Sequence, residues 1–267
     1  MLRSLKWVEI DAQIEKDLSA MFRAKKEVLD GFISSAKGRA QDAIQKCEDA
    51  LALNPADYDA TYLLAKLNYQ IASRLKNARQ PSEAMKAYQK SIDAIDKFIG
   101  DERTLLSDHF ALEVIYARAN LDLGVMALKA NRLKQAAAAL QKSVSGEVRF
   151  AEAHNNLGVV YARLGQDDAA VKQYQSAIEL NPYLVSARMN LGNALLKQKR
   201  YPEAIESYRQ VEKLKPDFAL THYNLGIAYF EQKKWARAEK EWARALELKS
   251  DFAQAQKMLN DVREKIK

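Results

Sequence analysis

AEAHNNLGVVYARLGQDDAAVKQYQSAIELNPYL, residues 151–184, carries the pattern that organises this chain. Its Asn156-Leu157-Gly158 returns as Asn190-Leu191-Gly192 and Asn224-Leu225-Gly226, with an altered copy at Asp122-Leu123-Gly124. Successive glycines stand 34 residues apart. Aligning on them brings other columns into register. Small residues recur at Ala136, Ala170, Ala204 and Ala238, and bulky ones at Leu140, Tyr174, Tyr208 and Trp242. Ser143, Ala177, Val211 and Ala245 follow. Pro182 and Pro216 close two segments, with Val148 and Ser250 in the matching places of the others.

A glycine inside a helix costs ~1 kcal/mol relative to alanine. Four of them make physical sense only if a neighbouring helix needs the space of the missing Cβ. The side chain at Leu140, Tyr174, Tyr208 or Trp242 is the natural occupant. The alanine column then marks the close crossing of two helices. Each segment reads as an antiparallel helix pair, and stacked pairs bury a continuous core. Leu164-Gly165-Gln166-Asp167 makes a short break, after which Asp167 or Asp168 can cap the next helix. Pro202 suits a first helical turn. Ala253 to Lys267 reads as a last helix with Met258, Leu259 and Val262 on one side, covering the end of the stack.

These columns resemble the tetratricopeptide repeat (TPR): a large residue, Leu-Gly, an aromatic, a small residue, another aromatic and a closing proline. Residues 151–184 supply His154, Leu157-Gly158, Tyr161, Ala170, Tyr174, Ala177 and Pro182. Segments 185–218 and 219–252 match comparably. Segment 117–150 has Ala127 where an aromatic is expected and lacks the proline. Segment 24–57 keeps Gly31, Ala43, Ala50 and Pro55 but has Asp30 in place of leucine. Segment 58–98 fits if about seven residues, two helical turns, are inserted before Pro81-Ser82-Glu83-Ala84. The resemblance implies an all-α fold, a right-handed α-solenoid of stacked antiparallel helix pairs with long irregular N-terminal helices. Four regions follow: an amphipathic N-terminal helix arm (1–23), divergent repeat-like units (24–116), a regular array (117–252) and a capping helix (253–267).

In the divergent region, Tyr58 to about Arg79 is expected as one long helix, and Ile92, Ile95, Phe98 and Ile99 extend the next. A further helix is expected from Thr104 to about Ala130. Its Leu105, Leu106, Phe110 and Leu112 would pack against that extension, forming a longer antiparallel arm. At the start, Ile10, Ile14, Leu18, Met21, Val28 and Phe32 share one helical face. That stripe could fold back as a cap, mediate self-association through Ile10, Ile14, Leu18 and Met21, or meet a partner or membrane surface.

The asparagine column is not explained by packing. The resemblance places Asp122, Asn156, Asn190 and Asn224 on the concave face of the stack, with Asn193 one turn on. A carboxamide carries both a donor and acceptors, so it can match an extended peptide backbone without reading sequence. Equally, the column can be a shared local hydrogen bond of the scaffold. Tyr223, Arg163, Lys197 and Arg188 are further groove candidates and suggest a ligand with acidic character. The Lys/Asn/Arg clamp of chaperone-tail receptors is missing: the register holds Asn155, Val159, Asn190, Leu220 and Asn224.

Residues 1–116 carry 17 basic and 18 acidic side chains, and residues 117–267 carry 25 and 17, so the +7 net charge belongs to the second half. Lys129, Arg132 and Lys134, then Lys197, Lys199 and Arg200, then Lys233, Lys234 and Arg237 lie in successive loops. They read as solvated loop charge or a stripe interrupted by Asp167 and Asp168. His154 and His222 occupy a packing column, and neither metal-ligand spacing nor a nucleotide or nucleophile motif occurs. The sequence therefore indicates no enzyme, cofactor or metal. The single Cys47 excludes an internal disulfide and fits a reducing compartment. The start lacks the apolar core of a secretory signal, and no apolar run suggests a membrane span, so a cytoplasmic location is expected, including the cytoplasmic face of a membrane complex.

These readings converge on an interaction scaffold or adaptor that grips an extended segment or helix of a protein partner in its groove. A structural or assembly subunit of a larger, membrane-associated complex is the alternative. An RNA-binding helical repeat fits less well, because RNA-reading repeats lack the Leu-Gly/aromatic/Pro combination.

Overall fold

The computed structural model describes residues 2–100 and 109–266, with side chains for Lys16, 19–100 and 109–266. Among these, thirteen helices and no strand occur. They are α1 (Leu2–Ala36), α2 (Ala40–Leu53), α3 (Tyr58–Asn77), α4 (Pro81–Ile99), α5 (Phe110–Lys129), α6 (Leu133–Val144) and α7 (Ala151–Arg163). α8 (Asp167–Leu180), α9 (Val185–Lys197), α10 (Tyr201–Leu214), α11 (Ala219–Glu231), α12 (Trp235–Leu248) and α13 (Ala253–Ile266) complete the chain. The fold is all-α, a solenoid of paired helices. No helix of the described residues is long and apolar enough to cross a membrane.

The chain divides into two compact units: residues 1–126 with 145–148, and residues 127–144 with 149–267. In the second unit, helices α7/α8, α9/α10 and α11/α12 pair within each repeat, and α8/α9 and α10/α11 pack between repeats. The glycine column behaves as its cost demands. A Cβ on Gly158 would stand 2.6 Å from the ring of Tyr174. At Gly192 and Gly226 it would be driven into the rings of Tyr208 and Trp242. These rings are buried, with Ala170, Ala204 and Ala238 at the helix crossings. The Trp242 indole Nε1–H also donates to the Tyr223 carbonyl at 3.1 Å, which fixes the ring in its notch.

Short turns close the pairs. Gly165 takes a left-handed φ of 76°, and Lys199 and Lys233 take 60° and 58° at the same step of the following repeats. The next amide then bonds back five residues, as Gln166 N–H to Tyr161 O at 2.9 Å and Arg200 N–H to Leu195 O at 2.9 Å. Pro202 sits in the first turn of α10, as expected. Asp167 and Asp168 do not cap α8. Its N-cap is Gln166, without a side-chain bond, and both aspartates lie in the first turn. They reach instead to the next repeat, accepting from Lys197 Nζ at 2.7 Å and Gln198 Nε2 at 2.9 Å. At the far end, α13 buries Ala255, Leu259 and Val262 against α12 and leaves Gln254, Lys257, Asp261 and Glu264 outward. That polar outer side is what a terminal element requires.

In the first unit, α1/α2 and α3/α4 form the pairs. α3 and α4 have 20 and 19 residues, longer than the 13 and 14 of the later repeats. The Asp57 carboxylate caps α3 by accepting from Ala60 N–H at 3.0 Å. Tyr88, Ile92, Ile95 and Ile99 are buried along α4. Leu112 is buried on α5, whereas Phe110 is 68% exposed and does not join that packing as expected. Leu105 and Leu106 lie outside the described residues. Where segment 117–150 lacks its proline, buried Glu113 holds the loop, accepting from the backbone N–H groups of Glu147 and of Val148 (3.0 Å). α1 is one unbroken helix to Ala36, so the N-terminal stripe does not fold back as a cap. The side chains of Ile10, Ile14 and Leu18 lie outside those described, and Met21 is exposed. Cys47 is buried, and desolvation pushes its thiol up to about 12.

Candidate interaction groove of the repeat array

The first helices of two consecutive repeats, α7 and α9, flank a cleft of about 300 Å³. Val159, Ala162 and Arg163 line it from α7, Asn190, Asn193, Ala194 and Lys197 from α9, and Asp167 and Tyr174 from α8. Four residues singled out in the sequence, Arg163, Asn190, Asn193 and Lys197, therefore meet around one cavity. Its lining combines the apolar Val159, Ala162, Tyr174 and Ala194 with two cations, Arg163 and Lys197. Lys197 is tied to Asp167 at 2.7 Å. Arg163 is exposed and makes no ion pair among the described residues.

The asparagines divide between two jobs. Asn190 Nδ2 donates to Asn155 Oδ1 at 3.0 Å, and Asn224 Nδ2 donates to Asn193 Oδ1 at 2.9 Å. The Tyr208 hydroxyl donates to the same Asn193 oxygen at 2.7 Å. The Tyr208 bond joins α10 to α9 within one pair, and the two amide bonds stitch each first helix to the one before it. Asn224 is only 8% exposed and is consumed by that tie. Asn156 Nδ2 turns back to Glu152 O at 2.8 Å. Asn193 remains exposed at the cleft, with its oxygen engaged and no acceptor for its amide nitrogen among the described residues.

Other candidates lie elsewhere. Arg188 Nε donates to Pro182 O at 2.9 Å, and its side chain lines a second groove with Gln175, Ile178 and Leu195. Tyr223 packs its ring on Phe252, centroids 4.9 Å apart. Asp122 belongs to the first unit, where it accepts from Lys76 Nζ at 2.6 Å and from the Tyr69 hydroxyl at 3.1 Å.

A column missed in the sequence lies between paired helices, always 19 residues apart. His154 Nδ1 meets Gln173 Oε1 at 2.8 Å, Ser207 Oγ donates to Arg188 O at 2.8 Å, and His222 Nδ1 meets Glu241 Oε2 at 2.8 Å. In the last of these, Arg209 joins both Glu241 (2.6 Å) and Glu212 (2.7 Å). Glu212, His222 and Glu241 offer atoms within 4.8 Å of one another, a span that fits a metal ion. Arg209 already places a positive charge on both carboxylates, so the arrangement is complete as an ion network. Burial opposes ionisation of Glu241, but the His222 hydrogen bond and the Arg209 charge outweigh it and hold the carboxyl below its usual range.

Residues 151–184 and 219–252 match models of the tetratricopeptide repeat, and residues 192–233 match a TPR repeat model. The chain carries tetratricopeptide repeats. A comparison with curated protein sequences finds no match. Among solved structures, the TPR protein YrrB, described as having an unusual peptide-binding site, superposes with a TM-score of 0.61 at 21% identity. That alignment covers 79% of this chain and 95% of YrrB. MamA follows with a TM-score of 0.59 at 23% identity, over 71% of this chain and 94% of that one. PilF of Pseudomonas aeruginosa gives 0.55 at 16% identity, over 91% and 99%. At these identities the likeness is one of fold.

Proposed function

We propose that the TPR array is an adaptor that binds an extended, acidic segment of a protein partner across the first-helix face, centred on the α7/α9 cleft. The observation that carries this reading is the convergence of exposed Arg163 and Asn193 with Lys197 and Asn190 around one partly apolar cavity. A guanidinium binds a carboxylate through paired N–H donors. The free amide of Asn193 suits a backbone carbonyl, and Val159, Ala162 and Ala194 leave room for one small apolar side chain. Asn224, Asn156 and Asp122 contribute by holding the scaffold. The peptide-binding site in YrrB's description agrees with this ligand class for a related fold.

Co-purification from the native cell, read by mass spectrometry, tests the reading. Arg163→Glu reverses the unpaired cation without touching a packing contact. It should deplete the partner at least about tenfold, the scale of one charge-assisted contact. Gln175→Ala, on the other groove, should leave recovery unchanged. Equal recovery with Arg163→Glu and wild type would remove the assignment.

A further inference from the structure

α1 is apolar on two opposite faces. One buries Ala24, Val28 and Gly31, with Ser34 beside them, in the pair with α2. The other presents Phe22, Leu29 and Ile33 at i, i+7 and i+11, exposed by 69, 60 and 42%. A helix apolar on two sides is ordinarily covered on both. The later repeats show what covers the second side. The residue two places after the conserved glycine is Val160, Ala194 or Ala228 there, all buried, because a preceding helix pair packs on it. In α1 that place is Ile33, and nothing among the described residues covers it.

The rest of the stripe differs from the face that a preceding repeat covers. Where later repeats bury Ala153 and Leu157, α1 has Lys26 and Asp30. A partner that brings an acid to Lys26 and a base to Asp30 would complement this face. Neither residue makes an ion pair among the described residues, although they are four apart on one helix.

We infer that this stripe is the interface of a two-fold symmetric dimer, in which α1 packs antiparallel against α1 of a second copy. A two-fold axis near residue 28 puts Lys26 of each copy against Asp30 of the other, on the same edge of the interface. It also sets Phe22 against Ile33, and Leu29 beside its own counterpart. The face is thus self-complementary in charge and in apolar content, as an isologous contact must be. The stripe and the α7/α9 cleft share no residue, so the test of the dimer does not depend on the groove. A helix pair of this length lies at the small end of specific interfaces, below about 1,200 Å² in total. The dimer should accordingly be concentration-dependent.

Sedimentation equilibrium on the full chain, from about 1 to about 200 µM, reads the state directly. The wild type should move from 30.2 kDa to twice that mass. Lys26→Asp and Asp30→Lys should each weaken association by about tenfold or more, through like charges across the axis. An equimolar mixture of the two variants should restore it, because each then supplies the charges the other needs. Recovery on mixing also proves both variants folded. A wild type that stays monomeric throughout overturns the proposal and leaves the stripe to a different protein. So does a dimer that Leu29→Glu leaves intact, or a mixture that associates no better than either variant alone.

Discussion

The glycine column runs through both halves of this molecule but does different work in each. In the array, Gly158, Gly192 and Gly226 hold an aromatic ring where their own Cβ would be. In the first unit, Gly31 stands in the same column, yet a Cβ there would meet only Leu63 at 3.4 Å, Ala43 O at 3.5 Å and Cys47 at 3.5 Å, ordinary contacts. The partner position that is Tyr174, Tyr208 or Trp242 later is Cys47 here. The 19-residue column shows the same contrast. His222 and Glu241 are buried and braced by Arg209, while Glu27 and Lys46, in the matching places, pair at 2.8 Å with side chains about a third exposed. A sequence column thus fixes where two helices meet. What the meeting is worth depends on the volume and burial of the partner.

The largest expected effect tests the buried side of that contrast. Glu241→Gln leaves His222 and Arg209 short of a charged acceptor and should cost about 2–3 kcal/mol in chemical unfolding. Lys46→Ala, at the matching pair, should leave the melting temperature nearly unchanged, since exposed pairs contribute little. A loss for Lys46→Ala as large as that for Glu241→Gln would break the comparison. pH sharpens it. A carboxyl depressed in the folded state stabilises fully above its unfolded pKa of about 4.3. That contribution fades as pH falls through the lower folded value, so Glu241→Gln should flatten the acid limb of stability below about pH 4.3.

Gly192→Ala should come next, at about 1–3 kcal/mol, because the Tyr208 ring is buried and cannot step aside without separating α9 from α10. Gly31→Ala should reverse the sign, gaining up to ~1 kcal/mol from helix propensity alone. Equal losses at the two glycines would show that the column carries one role after all. The smallest effect is expected in the turns, where Gly165 already suits its left-handed backbone and Lys199 does not. Lys199→Gly should be stabilising by less than about 1 kcal/mol, the steric relief being partly cancelled by a more flexible unfolded chain.

The fold was legible where one residue's identity answered to one neighbour at a fixed interval, as with glycine and ring. It was legible also in the long α3 and α4 and in the apolar side of α13. The candidate groove was half legible. Arg163, Asn190, Asn193 and Lys197 share a cleft, but Arg188 turns to the other groove and Asn224 is absorbed by Asn193. Those outcomes depend on side-chain choices between neighbours, which no column records. The Glu113 loop anchor was not legible, because it acts on Glu147 and Val148 from more than thirty residues away and replaces a proline that periodicity led one to expect. The second apolar face of α1 was masked in the same way. The stripe through Met21, Val28 and Phe32 is the more regular in sequence, yet Val28 turns inward to α2.

Rings seated in glycine notches hold the array together, and a double-mutant cycle in urea reads their coupling. Gly192→Ala, Tyr208→Leu and their combination should be strongly coupled, the alanine costing far less once the ring is gone, by on the order of 1–2 kcal/mol. Strictly additive losses would mean that the ring and the notch do not need each other, and that the glycine column is not what holds the helix pairs together.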